Sequence, residues 1–303
     1  MATGRYAPSP TGPLHLGNLR TALLAWLFAR GAGSGFLLRI EDLDPERSRP
    51  EHELAQLDDL RAIGIDWDGA PVRQSERTEL YRAARERLEA DARVYPCWCT
   101  RAEVQRAAEA PHGDLAEGAY PGTCRDLSAR ERAERQHEAG RPPALRLDAR
   151  AERIAFDDRL HGRQEGVVDD FVLWRWDDTP AYNLAVVVDD ADQRVEEIVR
   201  GDDLLDSTPR QLLLYRLLEL QPPAHAHVPL VLGPDGARLA KRHGAVTLAD
   251  RATLGESVAG LVAWMAASLG LATEAERVTA ADLVDRFDAT SLPRQPTIFD
   301  QRS

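Results

Sequence analysis

The sequence almost lacks lysine: Lys241 is the single lysine among 38 basic residues, and all the others are arginine. At most surface positions either cation will serve. A lysine kept in this background therefore indicates a place that requires a compact ammonium rather than a wide, planar guanidinium. Lys241 also lies in a glycine-rich segment, residues 232–245, beside other basic residues. The segment predicts a mobile loop that binds phosphate; the alternative is that one lysine persisted by chance.

Cysteines are few, and long apolar runs are missing. Three cysteines are too few, and of the wrong parity, for a disulfide scaffold, so we expect a reducing cytoplasm. The longest apolar run, residues 258–272, contains Ser268 and is shorter than the roughly 20 residues that span a bilayer. Arg5 is followed at once by prolines, which is unlike a signal peptide. We therefore expect a cytoplasmic protein without membrane association.

Positive charge is in deficit, with a formal net charge of −12. This balance argues against a general polyanion binder, although one local basic groove could still hold nucleic acid, which responds to the field where it binds. The rest of the composition is ordinary for a globular protein, with 43 % apolar and 29 % charged residues in a chain of 303. That length is enough for two or three domains with buried cores.

Hydrophobic periodicity predicts an α/β fold. A strand ending near Ala7 is followed by a Pro- and Gly-rich turn and a helix with core-facing leucines, and the apolar run Phe36–Ile40 is typical of a buried parallel strand. The other predicted elements are helices at 51–63, 76–92, 128–139 and 208–220, strands at 144–147, 171–176, 182–188, 195–199 and 228–232, and further helices within 248–303.

Residues 5–19 carry the strongest functional pattern. Prolines and Gly12 stiffen a turn that delivers His15 and Gly17 to a helix N-terminus, which is a ready anion site. The His15 imidazole could donate to a phosphate, and Gly17 would let a flat purine lie against bare backbone. The alternative is a strand–helix turn with a surface histidine, but the Lys241 loop far along the chain favours a nucleotide site.

Cys97, Cys99 and Cys124 indicate a metal. Thiolates this close in sequence can share one tetrahedral Zn²⁺, which then requires a fourth ligand. Three buried thiols without a metal are the alternative. The candidate fourth ligands by chemistry alone are His112, followed by Asp114 and Glu117.

These segments resemble the signatures of class I aminoacyl-tRNA synthetases of the glutamyl branch. His15-Leu-Gly-Asn18 is similar to the HIGH motif of that family, and Arg238-Leu-Ala-Lys-Arg242 is similar to its KMSKS motif, from which Arg238 and Ala240 depart. The blocks 39–44 and 199–209 also match in order and spacing. The resemblance covers about residues 4–248. It implies a Rossmann-type parallel sheet with a zinc-binding insertion and a short C-terminal helical stem, without an anticodon-binding domain.

The resemblance also implies a division of the chain and the roles of its residues. The implied units are the first half of the nucleotide-binding domain at 1–95, the zinc-binding insertion at 96–144, the remainder of the insertion with the second half of the catalytic domain and its KMSKS-like loop at 145–247, and the helical stem at 248–303. The implied ATP-binding residues are His15, Gly17, Asn18 and Lys241, of which His15 and Lys241 are catalytic.

A glutamate substrate carries two carboxylates and one ammonium, so its site needs arginine forks and a carboxylate. The implied glutamate-binding residues are Arg5, Ser9, Glu41, Tyr182 and Arg200, with Glu41 facing the α-amino group. Two alternatives concern single residues: Arg200 could form a surface ion pair with Asp202 or Asp203, and Tyr182 could be a core aromatic on a strand.

The same resemblance implies the metals. One family similar to the glutamyl synthetases has a Cys-x-Cys pair followed by Tyr-x-x-x-Cys, and residues 97–99 and 120–124 fit that pattern. It implies one structural Zn²⁺ held by Cys97, Cys99, Cys124 and Tyr120, while Mg²⁺ would accompany ATP.

Only 62 of the 303 residues follow Lys241. In this the chain is similar to short paralogues of glutamyl-tRNA synthetase, which activate L-glutamate with ATP and transfer it to the queuosine base in the anticodon of tRNA(Asp). The implied partners are ATP, L-glutamate and that anticodon stem-loop, and a monomer is expected. Three alternatives stay open: a remnant of a discriminating glutamyl-tRNA synthetase, a non-catalytic RNA-binding paralogue, and a nucleotidyltransferase acting on a small molecule.

Overall fold

The computed structural model describes residues 3–108 and 119–300. The helices in these ranges are α1 (Leu16–Gly31), α2 (Pro50–Ala62), α3 (Thr78–Ala90), α4 (Arg101–Ala108), α5 (Ala129–Ala139), α6 (Tyr182–Asp192), α7 (Thr208–Leu217), α8 (Leu248–Thr253), α9 (Val258–Ser268) and α10 (Ala280–Val284). The strands are β1 (Gly4–Tyr6), β2 (Phe36–Ile40), β3 (Val72–Arg73), β4 (Val94–Cys97), β5 (Ala144–Leu147), β6 (Arg153–Asp158), β7 (Gly162–Val167), β8 (Val172–Trp174), β9 (Glu197–Gly201), β10 (Ala224–Val228), β11 (Val231–Leu232) and β12 (Thr297–Ile298).

A seven-stranded sheet lies at the centre, in the order β3-β2-β1-β9-β10-β6-β7. Its strands are parallel, except that β6 and β7 form an antiparallel hairpin. The predicted α/β fold with a mostly parallel sheet is confirmed. The strand order changes direction between β1 and β9, and in open α/β sheets ligands bind at the carboxyl ends of the strands beside such a switch point.

Helix α1 is apolar on nearly all sides and is therefore buried against β1 and β9. The leucines that the sequence assigned to its core face, Leu19, Leu23, Leu24 and Leu27, are at most 1 % exposed. Each contributes about 1.5–3 kcal/mol by leaving water. This packing fixes the start of the helix at the edge of the sheet. Among the described residues, no helix combines the length and the apolar character needed to cross a bilayer.

The predicted strand over 182–188 is wrong, because these residues begin helix α6. The run 184–188 is buried along its whole length, so it lacks the periodicity that separates a buried helix from a buried strand. Its valines favoured the strand prediction. The helix continues to Asp189 and Asp190, which are buried beneath the cleft described below.

One other strand prediction needs correction, and one hairpin was missed. The predicted strand over 228–232 is divided at Pro229 into β10 and β11, because proline has no N–H with which to continue a ladder. The hairpin of β6 and β7 was not predicted, since half of its residues face solvent and its two strands contain few apolar residues. Within 248–300, α8, α9 and α10 are helices as predicted, but the residues between and after them are mostly irregular, and β12 pairs in parallel with β11.

A second, antiparallel sheet joins β4, β5 and β8. Strand β4 ends at Cys97, so the sheet supports the start of the cysteine pattern. Helix α5 begins at a capping box of Ser128 and Glu131, as the predicted helix near 128–139 requires. Strands β4, β5 and β8 therefore form a small layer separate from the central sheet, to which β6 and β7 belong.

Candidate active site

A cleft of about 720 Å³ opens at the carboxyl ends of β1, β2 and β9. Its walls come from segments that are far apart in the sequence and meet only because the parallel strands end at the same edge. It is lined by every residue predicted for glutamate or ATP binding whose side chain is described: Arg5, Ser9, His15, Gly17, Asn18, Glu41, Tyr182 and Arg200.

The KMSKS-like segment forms another wall of this cleft. Lys241 begins a 3-10 turn, Lys241–His243, and its side chain lies outside the described part of the chain. Its neighbours Arg238, Ala240 and Arg242 line the cleft. Nη1 of Arg238, in place of the first KMSKS lysine, is 2.5 Å from Oδ2 of Asp203. This departure therefore ties the loop to the 199–209 block.

His15 caps the N-terminus of α1. Its Nδ1 accepts from the Asn18 N–H at 3.2 Å, and Oδ1 of Asn18 accepts from the His15 N–H at 3.2 Å. Burial, followed by the charges of Arg238 and His243, lowers the pKa of His15 to about 4. The imidazole is therefore neutral at pH 7. Because Nδ1 accepts, the proton lies on Nε2, which is left to donate to an anion.

Gly17 is required by close packing. A Cβ at this position would lie 3.0 Å from Nδ1 of His15 and 3.3 Å from Cβ of Val231. A side chain would therefore displace the His15 ring from its capping position. Close packing alone explains why residue 17 is glycine. The contact between Gly17 and a purine stays a prediction.

Arg5 and Arg39 share one buried carboxylate. Nε of Arg5 is 3.3 Å, and Nη1 of Arg39 is 2.7 Å, from Oδ1 of Asp190. Burial raises the pKa of Asp190, but Arg39 and Arg5 lower it further, and the net shift is downward. Nε of Arg39 also lies 3.6 Å from Oδ2 of Asp189, so Arg39 has a second buried carboxylate partner beside the one it shares with Arg5. Sequence reasoning missed Asp190. The available signal was a pair of acidic residues, Asp189 and Asp190, directly after an apolar run.

Glu41 follows β2 and is the acidic group of the cleft that the sequence assigned to an ammonium. Its Oε1 lies 3.5 Å from Nη2 of Arg39, and its side chain is 12 % exposed. Burial raises the pKa of Glu41, although Arg39 and Arg5 oppose the shift. A substrate ammonium would restore the preference for the ionised carboxylate.

Arg200 and Tyr182 do not occupy the alternative places considered from the sequence. Tyr182 begins α6 and is 40 % exposed, so it is not a core aromatic on a strand. Arg200 is 5 % exposed, so its side chain is buried rather than at the surface. Within the described ranges it has no ion pair with a carboxylate, and Asp203 pairs with Arg238 instead. Arg200 therefore keeps its charge for a ligand.

The three cysteines come together as the sequence predicted. Their sulfur atoms lie within 4.8 Å of one another, and Sγ of Cys99 is 3.5 Å from Sγ of Cys124. The hydroxyl of Tyr120 lies 3.4 Å from Sγ of Cys97 and 3.5 Å from Sγ of Cys99. Ligands around a tetrahedral Zn²⁺ with one oxygen and three sulfurs are about 3.5–3.8 Å apart. The cluster can therefore hold a metal ion, and its spacing fits Tyr120 as a fourth corner.

Arg146 supports this cluster from β5. Its Nε lies 3.2 Å from Sγ of Cys97, and its guanidinium lies 3.7 Å from the centre of the Tyr120 ring. Hydrogen bonds from Cys124 and Cys99, with help from Arg146 and against burial, lower the pKa of Cys97. The other candidate fourth ligands, His112, Asp114 and Glu117, lie outside the described residues.

The whole chain is similar to one family of known proteins. The family model "tRNA synthetases class I (E and Q), catalytic domain" matches residues 1–303. A glutamyl-Q tRNA(Asp) synthetase of Nocardia farcinica is 61 % identical over 98 % of this chain and 92 % of its own length. A protein of the same name from Symbiobacterium thermophilum is 52 % identical over 98 % of this chain and 95 % of its own.

The solved structures give the same result at the level of the fold. A glutamate tRNA ligase from Elizabethkingia meningosepticum, in complex with its amino acid, superimposes with a TM-score of 0.82 at 28 % identity. The match covers 99 % of this chain and 67 % of that one. The resemblance found in the motifs is confirmed: this chain belongs to the class I (E and Q) tRNA synthetase catalytic-domain family.

Proposed function

We propose that the protein activates L-glutamate with ATP and transfers the glutamate to the queuosine base in the anticodon of tRNA(Asp). The observation that carries the proposal is the cleft, in which Arg5, Arg200 and Glu41 offer two cations and one anion. This charge pattern complements glutamate, which carries two carboxylates and one ammonium. The names of the two most similar relatives described above support the second step.

Glutamate would bind in the floor of the cleft. Arg5 and Arg200 face its two carboxylates, Glu41 faces its ammonium, and Ser9 and Tyr182 complete the walls. A neutral side-chain amide in place of the distal carboxylate would leave an arginine charge without a partner. Such a mismatch costs several kcal/mol in a buried site, on the order of the penalty for a broken buried pair.

The activation step is an in-line displacement at the α-phosphate of ATP. An oxygen of the glutamate α-carboxylate forms a bond to phosphorus, the bond to the bridging oxygen breaks, and pyrophosphate leaves with the electron pair. His15 would donate from Nε2 and Lys241 would supply an ammonium, so that catalysis rests on positioning and charge stabilisation. Mg²⁺, if bound with ATP, would neutralise part of the charge of the phosphates.

The transfer step uses the activated carbonyl. A hydroxyl of the queuosine ring attacks the carbonyl carbon of glutamyl-adenylate, an ester bond forms, and AMP leaves. The bond between the carbonyl carbon and the phosphate oxygen breaks, AMP leaves with that electron pair, and the proton of the attacking hydroxyl passes to the phosphate of the departing AMP. A cytoplasmic site for this reaction fits both a tRNA substrate and the reduced thiols of the metal cluster.

We also propose that Cys97, Cys99, Cys124 and Tyr120 bind one Zn²⁺ with a structural role. Four protein ligands close the coordination shell and leave no open position for chemistry. The metal would join the end of β4 to the segment around Cys124, and thus hold the small antiparallel layer in shape.

The first test concerns the amino acid. ATP–pyrophosphate exchange is expected with glutamate and without tRNA, while glutamine and aspartate should be at least about a hundredfold less effective, as a several-kcal/mol mismatch requires. The measurement compares kcat/KM for the three amino acids under identical conditions. Glutamine activity equal to that of glutamate would contradict the assignment of Arg5 and Arg200.

The second test concerns the acceptor. We expect labelled glutamate to be transferred to queuosine-containing tRNA(Asp), and not to the same tRNA prepared without queuosine. Transfer to tRNA(Glu) instead would identify a remnant of a discriminating glutamyl-tRNA synthetase. Absence of glutamate-dependent exchange would favour a non-catalytic RNA-binding paralogue, and exchange with another small molecule would favour a nucleotidyltransferase.

A further inference from the structure

A buried chain of three polar side chains runs under the cleft and ends at Arg200. Oδ2 of Asp158, at the end of β6, lies 2.6 Å from Nδ1 of His227 on β10. Nε2 of His227 lies 3.0 Å from Nε of Arg200 on β9. The side chains of Asp158 and His227 are fully buried, and neither residue lines the cleft. This hydrogen-bonded series of side chains therefore reaches the cleft only through Arg200.

The partners of His227 determine which of its nitrogens carries the proton. The hydroxyl of Thr208, 3.2 Å from Nε2 of His227, can donate or accept and does not fix the tautomer. Nε of Arg200 is always a donor, so Nε2 of His227 must accept. Nδ1 then carries the proton and donates it to the carboxylate of Asp158. Burial lowers the pKa of His227, although the hydrogen bond to Asp158 opposes the shift, and the ring is neutral. Asp158 thus selects the tautomer that Arg200 requires.

The other contacts of Arg200 show why this acceptor matters. Nη1 donates to Oε1 of Gln211 at 2.8 Å, and Nη2 donates to Oγ1 of Thr208 at 2.8 Å and to the carbonyl of Leu204 at 3.3 Å. With His227, four of the five N–H groups of the guanidinium are held. All four acceptors are uncharged. They fix the orientation of the fork without cancelling its charge, and Asp158 contacts Arg200 only through His227.

We propose that Asp158 and His227 are positioning residues: by holding His227 in the tautomer with Nδ1 protonated, Asp158 fixes the Arg200 guanidinium in the orientation that binds the substrate glutamate. This inference rests on the proposed role of Arg200 in binding glutamate. The inference gives the β6–β7 hairpin a part in recognising the amino acid. The motifs that carry the family resemblance do not include this hairpin.

Asp158→Asn is the decisive variant because its geometry predicts an inverted tautomer. Oδ1 of Asp158 accepts from the backbone N–H groups of Leu160 at 2.9 Å and His161 at 3.0 Å. Oδ1 also accepts from the backbone N–H of His227 at 3.3 Å, which makes three bonds, whereas Oδ2 accepts two, from Nδ1 and from that backbone N–H at 3.1 Å. In the variant the amide oxygen therefore takes the place of Oδ1, and the amide nitrogen replaces Oδ2 opposite Nδ1 of His227. Nδ1 must then accept, the proton moves to Nε2, and two donors face each other between His227 and Arg200.

The matched control is His227→Gln. It also removes the contact between the ring and Asp158, but its amide oxygen can take the place of Nε2 and accept from Arg200. His227→Phe keeps the volume and offers no acceptor. All three variants lose the hydrogen bond from His227 to the Asp158 carboxylate. Only Asp158→Asn and His227→Phe also lose the acceptor that faces Nε of Arg200, so the comparison separates the two effects.

The measurements are KM and kcat in ATP–pyrophosphate exchange, with ¹⁵N–¹H correlation spectra of the histidine rings. The His227 signals are assigned by their absence from His227→Gln. In Asp158→Asn we expect the protonated nitrogen to change from Nδ1 to Nε2. We expect its KM for glutamate to rise about tenfold or more, as for an unpaired buried donor, while its KM for ATP changes less than about twofold. His227→Phe should behave alike, and His227→Gln should keep the KM for glutamate within about threefold.

A purely structural role predicts a different outcome. It would lower the thermal midpoint of all three variants and leave the KM for glutamate unchanged, or impair His227→Gln as much as His227→Phe; either result overturns the proposal. If Asp158→Asn does not fold, the comparison of His227→Gln with His227→Phe decides. If the wild type shows no glutamate-dependent exchange, the proposed function fails instead. In that case the spectra of Asp158→Asn still test whether Asp158 sets the tautomer of His227. If the proton remains on Nδ1 in this variant, the proposal is overturned.

Discussion

Replacing Lys241 by arginine is expected to lower kcat for ATP–pyrophosphate exchange about a hundredfold, while the KM for glutamate stays near the wild-type value. Negative charge grows on the departing pyrophosphate in the transition state, and losing one well-placed cation at such a point costs about 3 kcal/mol. The ammonium of lysine can follow the moving oxygens. A guanidinium needs more room and a fixed bidentate geometry, so arginine is a poor replacement.

The surroundings of Lys241 strengthen this expectation. Two other basic residues of the same loop are near carboxylates: Arg238 lies 2.5 Å from Asp203 and Arg242 lies 3.8 Å from Asp235. Asp235 also lies 3.0 Å from His243. These contacts hold the loop at the edge of the cleft. They occupy the arginines with the structure of the loop, so that a phosphate contact falls to the lysine.

Arg242→Lys is the matched control, since it exchanges the same two cations in the opposite direction one residue away. It should change kcat less than about threefold, because an exposed ion pair contributes at most about 1 kcal/mol. The measurement is steady-state exchange at saturating ATP for both variants. Wild-type kcat in Lys241→Arg would mean that Arg238 or Arg242 contacts the phosphates instead.

Cys124→Ser is expected to reduce bound zinc from about one ion per chain to nearly none. It should also lower the thermal midpoint by on the order of 10 °C, because a structural zinc contributes folding free energy directly. Sγ of Cys124 is 3.5 Å from Sγ of Cys99, so the variant opens one corner of the cluster. Elemental analysis and calorimetry of the purified protein measure the two effects.

The fourth ligand is tested by Tyr120→Phe and His112→Ala. A phenol has a pKa of about 10 and binds as phenolate only when a nearby charge stabilises the anion. The guanidinium of Arg146, 3.7 Å from the centre of the Tyr120 ring, and the metal would both do so. We expect Tyr120→Phe to weaken zinc binding and His112→Ala to retain it. Full zinc in Tyr120→Phe with loss in His112→Ala would identify His112 as the ligand.

The sequence by itself determined the parts of the protein that have a local cause. A rigid turn and a cap produce the start of α1, so His15 and Asn18 could be recognised from adjacent residues. The same holds for the predicted metal ligands, since Cys97 and Cys99 are two residues apart and Tyr120 and Cys124 are four residues apart. Motifs of this kind also identified the family and the α/β fold.

Tertiary structure decided the features that depend on burial and on contacts between distant segments. The run 182–192 became a helix because burial on all sides removes the periodicity that distinguishes the two forms. Arg5 and Arg39 meet Asp190, and Arg200 meets His227 and through it Asp158, only where strands far apart in sequence lie side by side. Such pairings have no local signature. Low-dielectric burial makes them strong, and this is why the orientation of the arginines proposed to bind glutamate is visible only in the folded chain.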